Sequence, residues 1–285
     1  MTEGTVIAVT KKLHGLGNRL RVTLGARSLA RWASRDFAYT WPTGAAFGAT
    51  FDELWQFGEK RISTARSRVL SLRHPYRRHD LEWLDAARDD RIWQLRTAHA
   101  LHLPPDATPW GEELQSLTPV PAIGGRAEAF FAHNLAGQPY VGVMVRAHAV
   151  SNAETLQHSP VSWYIERMKE VSAQHPGMRF FLSADTAQAQ AEVIDAVPGT
   201  VALSDKGGYN TKAALVSSVV DLYLLAGSTH LLAPHYSSFP EIAQQLAGPS
   251  LRLETSMTPP DTRFGPEDRP SVVSDPLRPS VRTMH

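Results

Sequence analysis

The residues best placed to do chemistry lie where strands are expected to end. His14-Gly15-Leu16-Gly17-Asn18-Arg19 follows a strand-like Thr5-Val6-Ile7-Ala8-Val9-Thr10 and precedes an amphipathic run. Glycines at 15 and 17 let backbone N–H groups approach a ligand, and a helix opening behind them favours negative charge, a pattern suited to phosphate. The segment has no Gly-Lys-Ser/Thr and lacks three-glycine dinucleotide spacing. A plain strand-to-helix turn would use the same glycines. Arg146 ends the apolar run Tyr140–Val145. A charge there needs an anionic partner, either a ligand phosphate or carboxylate or an internal Asp or Glu.

Glu154 lies eight residues further, in a polar loop flanked by His148 and His158. Two imidazoles and a carboxylate are metal-ligand types, but their spacing matches no standard pattern, and no metal is expected. Asp185 follows the strand Arg179–Ser183. Its carboxylate can accept from ribose hydroxyls or base N–H groups, or cap the helix after it. Ser237 and Ser238 open a helix over 239–247, and Ser238 with Glu241 fits a capping box. The same helix start offers free amides to an anion.

The elements that must hold these residues alternate strand and helix. Residues 5–41 read as strand, glycine loop, helix from about Leu20 to Ala33, and strand 37–41, the signature of a parallel βαβ unit. A stretch rich in Arg, Trp and His spans 60–115, with helical patterning expected over Leu81–Leu101. From 138 the alternation resumes: strand 140–145, helix 161–173, strand 179–183, helix 186–196, strand 200–203, helix 212–226, strand 230–233, helix 239–247. The expectation is an α/β chain with two parallel sheets facing across a cleft, ligands lying beyond the strands' carboxyl ends. The expected domains are 1–137, 138–255 and a proline-rich tail, 256–285, an extended or wrapping segment that is not a domain.

Composition narrows the chemistry. The chain has 285 residues, a formal net charge of +1 and no cysteine. That excludes disulfides, thiolate nucleophiles and cysteine-ligated metals, and no global field draws nucleic acid. Ten Lys/Arg lie between Lys60 and Arg96, but Asp80, Glu82, Asp85, Asp89 and Asp90 are interleaved, so RNA binding ranks last. The N-terminus has no secretory pattern, and Lys212–Ala226 is too short to span a bilayer and carries Asp221. A cytoplasmic protein without a membrane span is expected.

Gly15-Leu16-Gly17-Asn18-Arg19-Leu20, Val145-Arg146, Phe181-Leu182-Ser183-Ala184-Asp185 and Asp221…Ser237-Ser238…Ala243 occur in an order that resembles the donor-site motifs of α1,6-fucosyltransferases, including the nodulation type, and of protein O-fucosyltransferases. The resemblance covers roughly 5–35 and 138–248. It implies a GT-B-type pair of Rossmann-like domains and an inverting, metal-independent transferase. The transferase would use no cofactor, only GDP-fucose or another nucleotide sugar as donor, and a glycan, peptide or small-molecule acceptor. It implies that Arg146 binds the donor phosphate, that Ser237 and Ser238 cradle the pyrophosphate, and that Gly15, Leu16, Gly17 and Asn18 form the first-domain loop. Asp185 would hold the nucleoside, and Glu154 would be the catalytic carboxylate. The pattern departs at Met144, Ala147 and Thr186, where the α1,6 enzymes have histidine, arginine and aspartate. A non-catalytic nucleotide-sugar binding module of the same fold is the alternative.

Overall fold

The computed structural model describes residues 4–149, 153–264, 268 and 270–284. The chain forms two compact units, one running up to Val120 and including Asn210–Leu215, the other holding Pro121–Tyr209 and the residues from Val216 on.

The first unit contains β1 (Thr5–Val9), α1 (Leu16–Trp32), β2 (Asp36–Thr40), β3 (Lys60–Arg61), α2 (Thr64–Leu70), β4 (Tyr76–Arg77), β5 (Ile92–Leu95) and α3 (Trp110–Gln115). Its five strands are parallel in the order β3-β2-β1-β5-β4. Ile7, Val9 and Ala38 form a small core with Ile62, Leu70 and Ile92. A second core is aromatic: Trp41 stacks on Phe51 with ring centroids 4.7 Å apart, and Phe51 stacks on Phe57 at 4.2 Å. Buried Gln94 ties α2 to β5, accepting from Ser67 Oγ at 2.7 Å and donating to the His74 carbonyl at 2.9 Å.

Two expectations for this unit need correction. α1 starts at Leu16, four residues before the expected Leu20, so Leu16, Gly17 and Asn18 are its first turn. The helix expected over 81–101 is absent: 82–89 is a series of turns, followed by the short strand β5. Leu81 has φ of 60°, which a helix does not admit, and a buried polar Gln94 disguised the strand's apolar pattern.

The second unit contains α4 (Pro121–Asn134), β6 (Tyr140–Val145), α5 (Ala153–His158), α6 (Val161–Gln174), β7 (Arg179–Ala184), α7 (Ala187–Ala196) and β8 (Thr200–Ala202). There follow α8 (Lys212–Ala226), β9 (His230–Leu232), α9 (Ser238–Ala247), β10 (Arg252–Glu254), β11 (Ser271–Val273) and β12 (Arg282–Met284). The first four residues of α8 count with the first unit. The main sheet is parallel in the order β10-β9-β6-β7-β8. β6 is buried at all six positions, as a central parallel strand requires. Gly142 lets α8 and the turn after it press on β6: a Cβ there would lie 2.8 Å from Ser228 Oγ and 3.1 Å from Leu225.

The tail is not wholly extended. β11 and β12 pair antiparallel, and Arg282 donates to the Ser228 carbonyl at 2.9 Å and to the Ala226 carbonyl, at the end of α8. A half-buried guanidinium there meets the negative end of the helix dipole. No helix among the described residues is long and apolar enough to cross a membrane.

Candidate active site

Strand order locates the crevice of the second unit. The chain runs outward from β6 to β7 and β8, then returns to place β9 on β6's other side. Such a reversal leaves room for ligands outside the carboxyl ends of the two adjoining strands. Arg146 follows β6, and Ser237-Ser238 follows β9.

Arg146 is held by Asp185. Its Nε lies 3.4 Å from Asp185 Oδ2, and the two side chains are 30% and 11% exposed. The other carboxylate oxygen, Oδ1, accepts from the backbone N–H groups of Ala147 at 2.7 Å and His148 at 3.1 Å. Asp185 therefore holds the loop through Oδ1 and faces the guanidinium as an ion pair through Oδ2, which forms no hydrogen bond. The internal pair foreseen for Arg146 is present, and the remaining guanidinium nitrogens belong to a partly exposed side chain. Asp185 does not cap the next helix: Thr186 does, accepting from the Ala189 N–H at 3.2 Å. Met144 is buried at the end of β6.

At β9 the chain turns through Tyr236, whose φ of 60° is left-handed, into α9. Ser237 is the N-cap, accepting from the Phe239 N–H at 3.5 Å, and Ser238 is the first helical residue. The cap thus sits one residue before the expected Ser238, and Ser237 makes no capping box, because the third helical position is Pro240, which has neither the carboxylate nor an N–H. The Ser238 amide and both hydroxyls stand at the positive end of the helix dipole.

Glu154 is exposed in the first turn of α5. That helix is stitched to the loop before α9: Thr155 Oγ1 donates to the His235 carbonyl at 2.9 Å, and the His235 N–H donates to Ser159 Oγ at 2.9 Å. Glu154 and the Ser237-Ser238 turn thus belong to one hydrogen-bonded assembly. Residues 150–152, just before Glu154, lie outside the described residues.

Three further groups join this end of the sheet without having been assigned a role from sequence. Asp221 is buried in α8; its Oδ2 accepts from Ser183 Oγ at 2.7 Å and Lys206 Nζ at 2.9 Å, while Oδ1 has no hydrogen-bond partner. Burial raises its pKa above the ordinary carboxylate value, against the pull of Lys206. A single acid inside an otherwise apolar helix was its sequence signal; Lys206, in a loop, had none. The third group is an aromatic platform beside Arg146, where His148 stacks on Tyr209 with centroids 4.4 Å apart.

The glycine turn of the first unit has a different construction. Gly15 is the N-cap of α1, and a methyl group added to it would meet no atom within 4 Å, so its α-carbon faces open space. Leu16 and Gly17 are buried, and their amides with that of Asn18 open the helix, where no preceding turn supplies acceptors. Asn18 Oδ1 accepts from Arg21 at 2.7 Å. Arg19 is fully buried and donates to the carbonyls of His14 at 2.7 Å, Pro42 at 2.8 Å and Lys12 at 3.1 Å, with its guanidinium 3.9 Å from the Phe47 ring centre. Burial lowers its pKa to about 10, still charged at neutral pH. His14 is pushed down to about 4, first by burial and then by Lys11, Arg19, Arg21 and Arg96. That cationic surround suits an anion. Among the described residues no group of three His, Asp or Glu is arranged to hold a metal ion.

No protein-family model and no curated protein matches the chain in sequence. Solved structures do match in three dimensions. NodZ α1,6-fucosyltransferase soaked with GDP-fucose aligns with a TM-score of 0.61 at 19% identity, over 86% of this chain and 93% of that one. Fucosyltransferase NodZ from Bradyrhizobium aligns at 0.59 and 18%, over 86% and 93%. POFUT1 in complex with GDP aligns at 0.58 and 13%, over 90% and 99%. At such identities the likeness is one of fold, and it extends over nearly the whole length of both chains. The chain has the α/β, GT-B-type fold of these fucosyltransferases.

Proposed function

We propose that the protein is an inverting, metal-independent glycosyltransferase that moves fucose from GDP-fucose to an acceptor hydroxyl. The observation that carries this reading is that Arg146, paired with Asp185, and the Ser237-Ser238 helix start follow the adjoining strands β6 and β9 at the switch point of the second sheet. Fold neighbours solved with GDP-fucose and with GDP support the choice of donor. Donor binding is assigned to 138–255 and the acceptor to 1–137, with the Gly15–Asn18 helix start as a second anion-binding position.

In this reaction the acceptor oxygen attacks the anomeric carbon as the bond to the β-phosphate oxygen breaks. Negative charge grows on the departing diphosphate, and the Arg146 guanidinium with the α9 amide and hydroxyls stabilises it. The Glu154 carboxylate takes the proton of the attacking hydroxyl. Asp185 is a positioning residue: it orients the guanidinium and leaves the ligand to Arg146.

GDP release from GDP-fucose, followed beside calorimetric donor binding, tests the reading. Glu154→Gln is expected to slow release by about 10²–10⁴-fold and to keep donor affinity. Lost affinity in that variant would contradict the base role. A wild-type chain that binds GDP-fucose without turning it over would favour the non-catalytic module. A chain with no affinity for GDP would refute the donor assignment.

A further inference from the structure

From Lys60 to His79 the sequence holds one lysine and six arginines and no Asp or Glu; the acids that balance this region begin only at Asp80. The fold commits two of these cations: Arg77 pairs with Asp90 at 2.8 Å, and Arg61 lies 3.8 Å from Asp52. Lys60 shares the rim of a cavity with Asp36 and Glu59, and Arg66 borders it. Arg66, Arg68, Arg73 and Arg78 are exposed and form no ion pair among the described residues.

The arrangement of Arg66, Arg68 and Arg73 follows from α2. Helical winding continues past its last residue, because the Ser71 N–H donates to the Ser67 carbonyl at 3.0 Å and the His74 N–H to the Leu70 carbonyl at 2.9 Å. Ser67 and Leu70 face inward, one bonded to Gln94 and the other packed against the Ile7–Ala38 core. At about 100° per residue, Ala65, Val69 and Leu72 then fall on one outward line. Arg68 flanks that line on one side, and Arg66 and Arg73 flank it on the other. Val69 is 67% exposed and Leu72 84% exposed.

An apolar line between guanidinium groups gains nothing from water. It matches the boundary of a bilayer, where aliphatic side chains enter the acyl edge and arginines meet headgroup phosphates. Single-stranded nucleic acid would instead call for stacking aromatics, and the aromatic of this segment, Tyr76, lies under Arg96 at 4.7 Å. We propose that this face of the first unit docks on a membrane surface rich in anionic phospholipid, with Val69 and Leu72 entering the interface and Arg66, Arg68 and Arg73 engaging the phosphates.

Co-sedimentation of the full chain with vesicles tests this, comparing phosphatidylglycerol mixed with phosphatidylcholine against phosphatidylcholine alone at about 0.15 M salt. Binding to the anionic vesicles is expected to exceed binding to the neutral ones by at least ~10-fold, and Arg68→Glu with Arg73→Glu is expected to remove about that much. Val69→Ser with Leu72→Ser should also weaken vesicle binding while leaving the melting temperature and GDP affinity unchanged, since both side chains are exposed. The proposal is overturned if the two vesicle types bind equally, or if neither binds. It also fails if the Val69/Leu72 variant binds anionic vesicles as well as wild type does. Tighter binding to oligouridylate than to anionic vesicles, insensitive to that variant, would assign the surface to RNA.

Discussion

Arg19 and Arg146 each stand beyond the central strand of a parallel sheet, and their surroundings are opposites. Arg19 is fully enclosed and spends its guanidinium on three backbone carbonyls and an aromatic face. Arg146 is partly exposed, with one carboxylate braced behind it. The first arrangement makes an arginine a scaffold for the glycine turn. The second leaves it partly exposed, the setting in which we propose that it binds an anion. Residue type and position are alike; the partners decide the role.

Mutations separate the two roles. Arg146→Ala should cut transfer by about 10²–10³, or about 3–4 kcal/mol in the barrier, with an unchanged melting temperature. Near-wild-type turnover would break the distinction. Arg19→Ala strands three carbonyls next to a buried ring and should cost about 2–4 kcal/mol of stability, measured by denaturant unfolding. If it unfolds no more easily than wild type yet loses donor affinity, Arg19 is a ligand and the contrast fails.

Asp185→Asn keeps an oxygen for the Ala147 and His148 amides but removes the charge that orients Arg146. A loss of about 10-fold in kcat/KM, equivalent to ~1.4 kcal/mol, is expected with little change in stability.

The smallest effect concerns pH. The folded pKa of His14, about 4, lies below the 6.5 expected of an unfolded chain. Its contribution is complete above pH ~6.5, and it declines as pH falls towards ~4, because the unfolded state binds the extra proton. Allowing for solvent screening, it amounts to about 1 kcal/mol. His14→Gln should flatten that part of the stability–pH curve. An unchanged slope would mean that neither burial nor the surrounding cations hold His14 neutral in the folded state.

The second unit was the more legible of the two. β6 matches its expected bounds because a strand buried on all sides is a continuous apolar run, Tyr140–Val145, and α8 because its second half, Val219–Ala226, is continuously buried. In the first unit Gly15 and Gly17 suggested a loop where the helix had already begun, and Gln94 hid β5. The candidate site was legible as a set of strand ends, since Arg146, Asp185 and Ser237-Ser238 all follow apolar strands. Pairings between them were not, because the contact of Arg146 with Asp185 spans 39 positions and that of Arg19 with Pro42 spans 23. The cap at Ser237 instead of Ser238 rests on a one-residue difference in backbone angles that no side-chain pattern encodes.

The central claim is that the carboxyl end of the second sheet holds the diphosphate of a nucleotide sugar through Arg146. Calorimetric titration of GDP into wild type and Arg146→Ala, at matched melting temperature, tests it most directly. Saturable binding by wild type that weakens at least ~10-fold in the variant, the loss of a charge-assisted contact, is the result predicted. Equal GDP affinity in the two proteins would contradict it.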